Sequence, residues 1–278
     1  MKEKLEVHET AFLISIFRAS NEKLSKDAFA KLWYNTTSKL LAKDLVENVS
    51  EYESFTHCLR NRYFYETINE LILKKEIEVI INFGCGFSMY PFLLDKTLTY
   101  IEIDKPDVIG YKKEKVLKWQ EEKVLPQRDI HFIASNFKSG YETGLLAQIL
   151  EIKEDKPSFI LIEGVLFFLT KQETKTTFSL FDRIQLKGDY IGSVSYRKEM
   201  AKTKVFKRLI KLFKDQLSLG QQFNYQTISD DFYHDQSNYK LIDYQDYYSL
   251  SKLYSPLNAI DKQEDILNES MYLLQKIK

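Results

Sequence analysis

The chain has 278 residues, which suits one large domain or a core domain with an added cap. Basic and acidic residues number 40 each, so the sequence gives no sign of a general attraction to nucleic acid or to an anionic membrane. No stretch approaches the roughly 18 uncharged apolar residues of a membrane span, and residues 1–17 lack the small-residue cleavage site of a signal peptide. These features predict a cytoplasmic protein that binds neither nucleic acid nor membrane.

The two cysteines of the chain, Cys58 and Cys85, fit neither a metal-ligand spacing nor a redox motif. No disulfide framework can be inferred from a single distant pair. We therefore predict no metal site.

The N-terminal quarter of the chain has a helical pattern. No glycine or proline interrupts residues 5–73, and Phe55, Leu59 and Tyr63 recur at helical spacing. A few helices joined by short links are expected there. We interpret residues 1–75 as a helical N-terminal extension and residues 76–278 as the core.

The pattern changes at residue 77, where a run rich in isoleucine and valine ends in two glycines and predicts a buried parallel strand over 77–83. Further strands and helices then alternate, which predicts a Rossmann-like, doubly wound and mostly parallel α/β sheet. The expected strands are 98–103, 130–134, 158–162, 189–195, 239–244 and 270–276, and the expected helices are 106–121, 141–150 and 171–184.

An amphipathic helix is predicted over residues 199–217, after the fifth strand of the expected sheet. Val205, Leu209 and Phe213 fall on one stripe, while most of the lysines fall elsewhere. We interpret residues 197–237, approximately, as a helical cap inserted into the core. A tyrosine-rich segment follows, from Tyr225 to Tyr254.

Ligands of doubly wound sheets bind beyond the carboxyl ends of the strands, so the residues after each strand are the candidates for a site. Gly84, Cys85 and Gly86 follow the first strand, and glycines there let the main chain approach a ligand closely. The alternative is a tight turn that binds nothing. Asp104 ends the second strand about twenty residues later, where a carboxylate can accept both hydroxyls of a ribose. Its alternative role is to cap the helix that begins near Pro106.

Two further candidates follow the third and fourth strands. Asn136 and Phe137 suit an adenine, through a hydrogen bond to its edge and a ring contact to its face, or are ordinary loop residues. Glu163 ends a strand predicted to be central, where an unpaired acid is costly. It could face a cationic ligand or form a structural ion pair.

A pair of arginines in the helix before the first strand, Arg60 and Arg62, suits a carboxylate because a guanidinium binds one with two parallel hydrogen bonds. The alternative is a solvated surface pair.

Together these blocks resemble the leucine carboxyl methyltransferase family, whose members are class I S-adenosylmethionine-dependent methyltransferases and include bacterial small-molecule O-methyltransferases. The resemblance runs from about Arg60 to Thr170. It rests on four blocks in the family's order, which are Arg60–Phe64, Phe83–Gly86, Tyr100–Pro106 with Lys112, and Glu163–Thr170.

The resemblance implies S-adenosylmethionine as cofactor and a role for each block. Arg60 or Arg62 would hold the methionyl carboxylate, and Glu163 would lie near the methionyl amine. The main chain of Gly84, Cys85 and Gly86 would touch the methionyl part. Asp104 would hold the ribose, with Asn136 and Phe137 near the adenine.

The chain departs from the family where the glycine loop continues, because Ser88-Met89-Tyr90 and Leu93 replace an Asp-Thr-Arg run and a later arginine. Asn136 likewise replaces an acid. These departures leave the acceptor open, and we expect a small molecule methylated on a hydroxyl or a carboxylate. A hydroxyl acceptor would benefit from a general base, for which His234 is a candidate by location alone.

Two other functions fit the same pattern. One is a binding or scaffold protein that keeps the fold without catalysis, which the lost Asp-Thr-Arg run allows. The other is a nicotinamide-dependent oxidoreductase, against which the missing third glycine and the Glu163-Gly164 block argue.

Overall fold

A seven-stranded sheet runs through the part of the chain that the computed structural model describes, residues 9–137, 140–216 and 225–278. The strand order is β3-β2-β1-β4-β5-β7-β6, in which β1 to β5 are parallel and β7 is antiparallel to both of its neighbours. This topology confirms the predicted Rossmann-like, doubly wound α/β fold, and every predicted strand is present within two residues of its expected ends. The strands are β1 (Val79–Phe83), β2 (Thr99–Asp104), β3 (Ile130–Ala134), β4 (Ser158–Ile162), β5 (Tyr190–Tyr196), β6 (Tyr239–Asp246) and β7 (Glu269–Lys276).

Helices precede the sheet, cover both of its faces and follow β5. The four before the first strand are α1 (Glu9–Ala19), α2 (Glu22–Ser25), α3 (Thr36–Asn48) and α4 (Glu53–Leu73). The others are α5 (Tyr90–Leu93), α6 (Pro106–Glu121), α7 (Glu142–Lys153), α8 (Lys171–Ile184), α9 (Lys204–Gln216), α10 (Asp230–His234) and α11 (Tyr247–Tyr254). None of the helices in the described ranges combines the length and apolar character that crossing a bilayer requires.

The sheet core has two layers because successive residues of a strand point to opposite faces. Ile81 and Phe83 of β1 pack with α7 and α8, whereas Ile80 packs with α4 and α11. All five residues of β1 and of β4 are buried, as expected for central parallel strands covered on both sides. The polar groups that follow these strands are therefore held on a rigid edge.

A third apolar cluster joins α1, α3 and α9 with Phe167, which follows β4. The amphipathic pattern expected over 199–217 is present as a 3-10 turn at Lys198–Lys202 and as α9, whose Val205 and Leu209 are buried. Residues 1–8 of the expected N-terminal extension and residues 217–224 of the expected cap insertion lie outside the described residues.

Candidate active site

A cavity of about 270 Å³ lies where β1, β2, β3 and β4 reach their carboxyl ends. Eight of the residues expected from the sequence line it, and two others, Arg62 and His234, do not. The eight are Arg60, Gly84, Cys85, Gly86, Asp104, Asn136, Phe137 and Glu163.

The glycine loop after β1 is held against β2 by its own main chain. The N–H groups of Gly84 and Cys85 both donate to the carbonyl oxygen of Ile103, at 2.8 and 3.0 Å. Gly84 has a φ of +70°, and a Cβ there would lie 2.0 Å from Cγ2 of Val165. Only glycine fits this position, because both the left-handed backbone and the contact exclude a side chain.

Asp104 ends β2 beside that loop and serves it as a hydrogen-bond acceptor. The Gly86 N–H donates to Oδ2 at 2.8 Å, and the Lys105 N–H donates to Oδ1 at 2.7 Å. The alternative that Asp104 caps the next helix is wrong, since Lys105 occupies the N-cap of α6 and Pro106 its first position. Each carboxylate oxygen keeps a further lone pair for a ligand. Burial raises the pKa of Asp104, and the two main-chain hydrogen bonds oppose that rise.

Behind the loop, Glu102 is fully buried and forms an ion pair with Lys112 of α6. The Nδ2 group of Asn82 also donates to Glu102, at 3.4 Å. Cys85 lies close to this pair, and burial raises the pKa of its thiol well above the ordinary range. The thiol is therefore neutral at physiological pH, and we assign it no nucleophilic role.

The two arginines of α4 face different environments. Arg60 is buried, and its Nε lies 2.8 Å from Oε2 of Glu163 at the cavity. Arg62 instead pairs with Glu66 and lies over the ring of Tyr254, 5.4 Å from its centroid. Residues two apart are rotated by about 200° around a helix, so only one of the two can point at the cavity. The structure thus leaves Arg60 as the candidate and removes Arg62 from the site.

Glu163 has a partner on each carboxylate oxygen. Oε2 pairs with Arg60, and the hydroxyl of Tyr90 donates to Oε1 at 2.8 Å. The structure confirms the ion pair, and Glu163 also lines the cavity, so its role toward a cationic ligand stays a prediction.

Asn136 and Phe137, after β3, complete the far wall of the cavity. The Asn136 side chain is exposed, while Phe137 is buried with its ring centroid 5.8 Å from that of Phe83. An exposed amide thus stands beside a buried aromatic ring.

Helix α1 forms a wall that the sequence interpretation missed. Ala11, Ile14 and Arg18 line the cavity, and Ala11 approaches the glycine loop so closely that a Cβ on Gly86 would lie 3.3 Å from its methyl group. Arg18 donates to the Phe87 carbonyl oxygen at 2.8 Å. The spacing of these three residues, at i, i+3 and i+7, is the signal that could have identified the face.

His234 is exposed on α10 and does not line the cavity. Its candidacy as a general base rested on its position in a tyrosine-rich segment, and the structure contradicts it. Tyr233 beside it is buried, with its hydroxyl within 3.1 Å of both Ser193 Oγ and Ser195 Oγ in β5. This segment of the tyrosine-rich region is therefore core.

One side of the cavity is apolar. Ile14 of α1 lines the cavity together with Val165, Phe168 and Leu169, which follow β4. Among the described residues that line the cavity there is no histidine. The cavity thus combines charged and amide side chains with aliphatic and aromatic ones.

Three solved structures share this fold along almost their whole length. A protein of Thermobifida fusca YX, provisionally assigned as a methyltransferase, has a TM-score of 0.65 at 10% identity, over 99% of this chain and 96% of that one. A DUF574 family protein of Streptomyces avermitilis MA-4680 has a TM-score of 0.65 at 9% identity, over 96% and 97%. The magnesium protoporphyrin IX methyltransferase of Synechocystis PCC 6803, with bound S-adenosylhomocysteine, has a TM-score of 0.50 at 10% identity, over 95% and 99%. At these identities the likeness shows the fold alone.

The sequence comparison with protein families goes further. The leucine carboxyl methyltransferase model matches residues 14–182, which is more than half of the chain. Comparison with curated proteins gives no significant match. The matched segment contains α4, the glycine loop, Asp104 and Glu163, and so includes most of the cavity wall. This chain belongs to the leucine carboxyl methyltransferase family of S-adenosylmethionine-dependent methyltransferases, and its cofactor is S-adenosylmethionine.

Proposed function

We propose that this protein transfers the methyl group of S-adenosylmethionine to an oxygen atom, in a hydroxyl or a carboxylate, of a small molecule. The observation that carries the proposal is that a single cavity joins polar groups suited to the cofactor with an apolar wall suited to an organic acceptor.

We assign the polar groups of the cavity to parts of the cofactor by their charge and by the strand that each follows. Asp104 would accept the ribose hydroxyls, since each of its oxygens has one lone pair beyond those used by main-chain donors. Arg60 would bind the methionyl carboxylate, and Glu163 its ammonium group. The main chain of Gly84, Cys85 and Gly86 would contact the methionyl part. Asn136 and Phe137 would hold the adenine.

The protein's task in this reaction is mainly to position the acceptor, because the bound cofactor supplies a methyl carbon already activated by its sulfonium. The apolar wall of Ile14, Val165, Phe168 and Leu169 would hold the acceptor and exclude water. We infer an acceptor with an apolar or aromatic body. Helices α1, α3 and α9 would act together as its cap.

The titratable groups at the cavity favour a carboxylate acceptor. Both oxygens of Glu163 already have partners, and the Glu173 side chain accepts a hydrogen bond from the Thr170 N–H. A carboxylate is ionised at neutral pH and needs no general base, whereas a hydroxyl would have to lose a proton.

An acceptor screen tests the proposal directly. The purified protein is incubated with S-adenosylmethionine and a panel of small aromatic and aliphatic carboxylic acids, phenols, alcohols and amines. Release of S-adenosylhomocysteine and a product heavier by one methylene unit are the readouts. We expect turnover with oxygen acceptors and the fastest turnover with carboxylic acids. Turnover confined to amines, or cofactor binding without turnover on any class, would contradict O-methylation.

A matched pair of variants tests the acceptor wall once a substrate is found. Phe168→Ala shortens a side chain that lines the cavity, so we expect the KM for the acceptor to rise about tenfold while cofactor affinity changes less than twofold. Leu253→Ala removes a side chain that is 61% exposed on α11 and serves as the control. Equal KM values in the two variants would place the acceptor elsewhere.

A further inference from the structure

Arg60 is shared by two carboxylates that the chain brings from distant positions. Its Nε lies 2.8 Å from Oε2 of Glu163, after β4, and its Nη1 lies 2.5 Å from Oε2 of Glu269, at the start of β7. The hydroxyl of Tyr247 donates to the same oxygen of Glu269. Glu163 and Arg60 line the cavity, whereas Glu269 does not.

These three charges are shielded from water. The side chains of Arg60, Glu269 and Glu163 are 6%, 9% and 16% exposed. Charges in such a place interact more strongly with each other and with a ligand than charges at a surface, because little solvent screens them. An imbalance between them therefore affects which ligand the cavity prefers.

The charges do not balance, because two carboxylates share one guanidinium. The neighbouring titratable groups do not correct the difference. Burial, assisted by the charge of Glu269, raises the pKa of Glu53 to about 8, so Glu53 is mostly protonated at neutral pH. Burial and the nearby Arg60 hold the pKa of His57 well below its ordinary value, so His57 is neutral. Arg18, the other buried cation near this group, is paired with Asp27 at 2.9 Å.

Resting on the proposed placement of the methionyl group beside Arg60 and Glu163, we infer that Glu269 is a positioning residue that fixes Arg60 and gives the cavity an excess negative charge, which favours S-adenosylmethionine over S-adenosylhomocysteine. The cofactor carries an ammonium, a sulfonium and a carboxylate, and so has a net charge of +1. The product has lost the sulfonium charge and is neutral overall. A buried site with one uncompensated carboxylate is stabilised by the cation and gains less from the neutral product. Methyl transfer itself then lowers the affinity of the cavity for the bound nucleoside, because the product lacks the sulfonium charge.

The test compares the affinities for S-adenosylmethionine and S-adenosylhomocysteine, so it does not require the acceptor to be known. Isothermal titration gives the Kd of S-adenosylmethionine and of S-adenosylhomocysteine for the wild-type protein and for Glu269→Gln, which removes the charge and keeps the shape. We expect the preference for S-adenosylmethionine, taken as the ratio of the two Kd values, to fall about tenfold in Glu269→Gln, equivalent to about 1.4 kcal/mol.

Tyr247→Phe is the matched control, because it removes a hydrogen bond to Glu269 and leaves every charge in place. We expect its ratio of Kd values to stay within about twofold of wild type, even if both affinities fall. If Glu269 had only a structural role, Glu269→Gln would lower the affinities for both ligands by the same factor. That result, or an unchanged pair of affinities, overturns the inference.

Circular dichroism shows whether Glu269→Gln folds. Should it not fold, Glu269→Asp takes its place, since it keeps the charge and shortens the side chain. We then expect both affinities to fall while the ratio stays within about twofold of wild type. A tenfold change of the ratio in Glu269→Asp would show that charge is not what sets the preference.

Discussion

The two ends of the parallel strands bury acidic residues in opposite ways. At the amino ends, Asp189 precedes β5 and accepts hydrogen bonds from the N–H and the hydroxyl of Ser158 and from the N–H of Leu186. Lys153, fully buried beside it, lies 3.5 Å away and balances its charge. At the carboxyl ends, Asp104 keeps unused lone pairs, and Glu163 and Glu269 share a single arginine.

We propose that this difference separates acids that stabilise the fold from acids that serve a ligand. A carboxylate whose acceptors are filled and whose charge is matched offers nothing to a ligand, and removing it leaves a buried cation alone. A carboxylate with free acceptor sites or excess charge costs stability in the empty protein and is stabilised by a bound ligand. Both groups of acids are largely buried, so we take incomplete pairing, and not burial, as the mark of an acid that serves a ligand.

The strongest test of this contrast is at the amino ends. Asp189→Ala leaves the Lys153 ammonium buried without its partner, so we expect the free energy of unfolding to fall by about 3–5 kcal/mol. Urea unfolding measures this loss, and isothermal titration of the folded variant should give an unchanged affinity for S-adenosylmethionine. The exposed Asp155, near the same end of the sheet, is the control, and its alanine variant should change stability by less than about 0.5 kcal/mol. A lower affinity of folded Asp189→Ala for S-adenosylmethionine would contradict the distinction between acids at the two ends of the strands.

At the carboxyl ends we expect the reverse. Asp104→Ala removes the carboxylate proposed for the ribose, and its affinity for S-adenosylmethionine should fall about 100-fold, or about 2.7 kcal/mol, while the fold is kept. Asp107→Ala, an exposed acid at the start of α6, should change that affinity less than threefold. An unchanged affinity of Asp104→Ala for S-adenosylmethionine would contradict the proposal that Asp104 binds the ribose.

The effect that is smallest per pH unit is a pH dependence at Glu53, whose pKa the charge of Glu269 helps to raise. The folded protein keeps a proton on Glu53 up to about pH 8, whereas the unfolded chain releases it near the ordinary pKa of 4.5. The protonated Glu53 side chain thus makes its full contribution to stability below the pKa of the unfolded chain. This contribution is lost as the pH rises toward the pKa of the folded protein. Relative to Glu53→Gln, the wild-type protein should lose about 1.4 kcal/mol of unfolding free energy per pH unit between about pH 5.5 and 7.5. Parallel pH profiles of urea unfolding in the two proteins would show that Glu53 ionises normally.

The sheet could be predicted from sequence because each parallel strand is a short apolar run with a break after it. The residues directly after β1, β2, β3 and β4 could be predicted for the same reason, since strand ends place them at one edge. Arg60 and Arg62 could not be distinguished by residue type, and only the rotation of α4 separates them. The predicted capping role of Asp104 was wrong by one residue, because α6 begins at Pro106 and its N-cap is Lys105.

Glu269 had no local signal of this kind, whereas Arg18 had only its helical spacing from Ala11 and Ile14, which marks one face of α1 but does not show that this face lines the cavity. Glu269 lies 209 positions from Arg60 along the chain and contacts it from an antiparallel strand, so neither a motif nor a periodicity connects the two. Arg18 lies in an N-terminal helix whose docking over the sheet depends on apolar contacts with α3 and α9. Such residues are found only once the packing of separate elements is known.

The place of β7 in the sheet has a consequence for how the molecule is assembled. β7 follows every other strand in the described chain, yet it lies between β5 and β6. During synthesis, β1 to β5 can therefore pair before residues 269–276 leave the ribosome, while β6 has to wait for β7 before it can join the sheet. A nascent chain at that stage already has its glycine loop, Asp104 and Arg60, but not the second carboxylate beside Arg60. The ligand preference that we propose for Glu269 is thus acquired only when β7 joins the sheet.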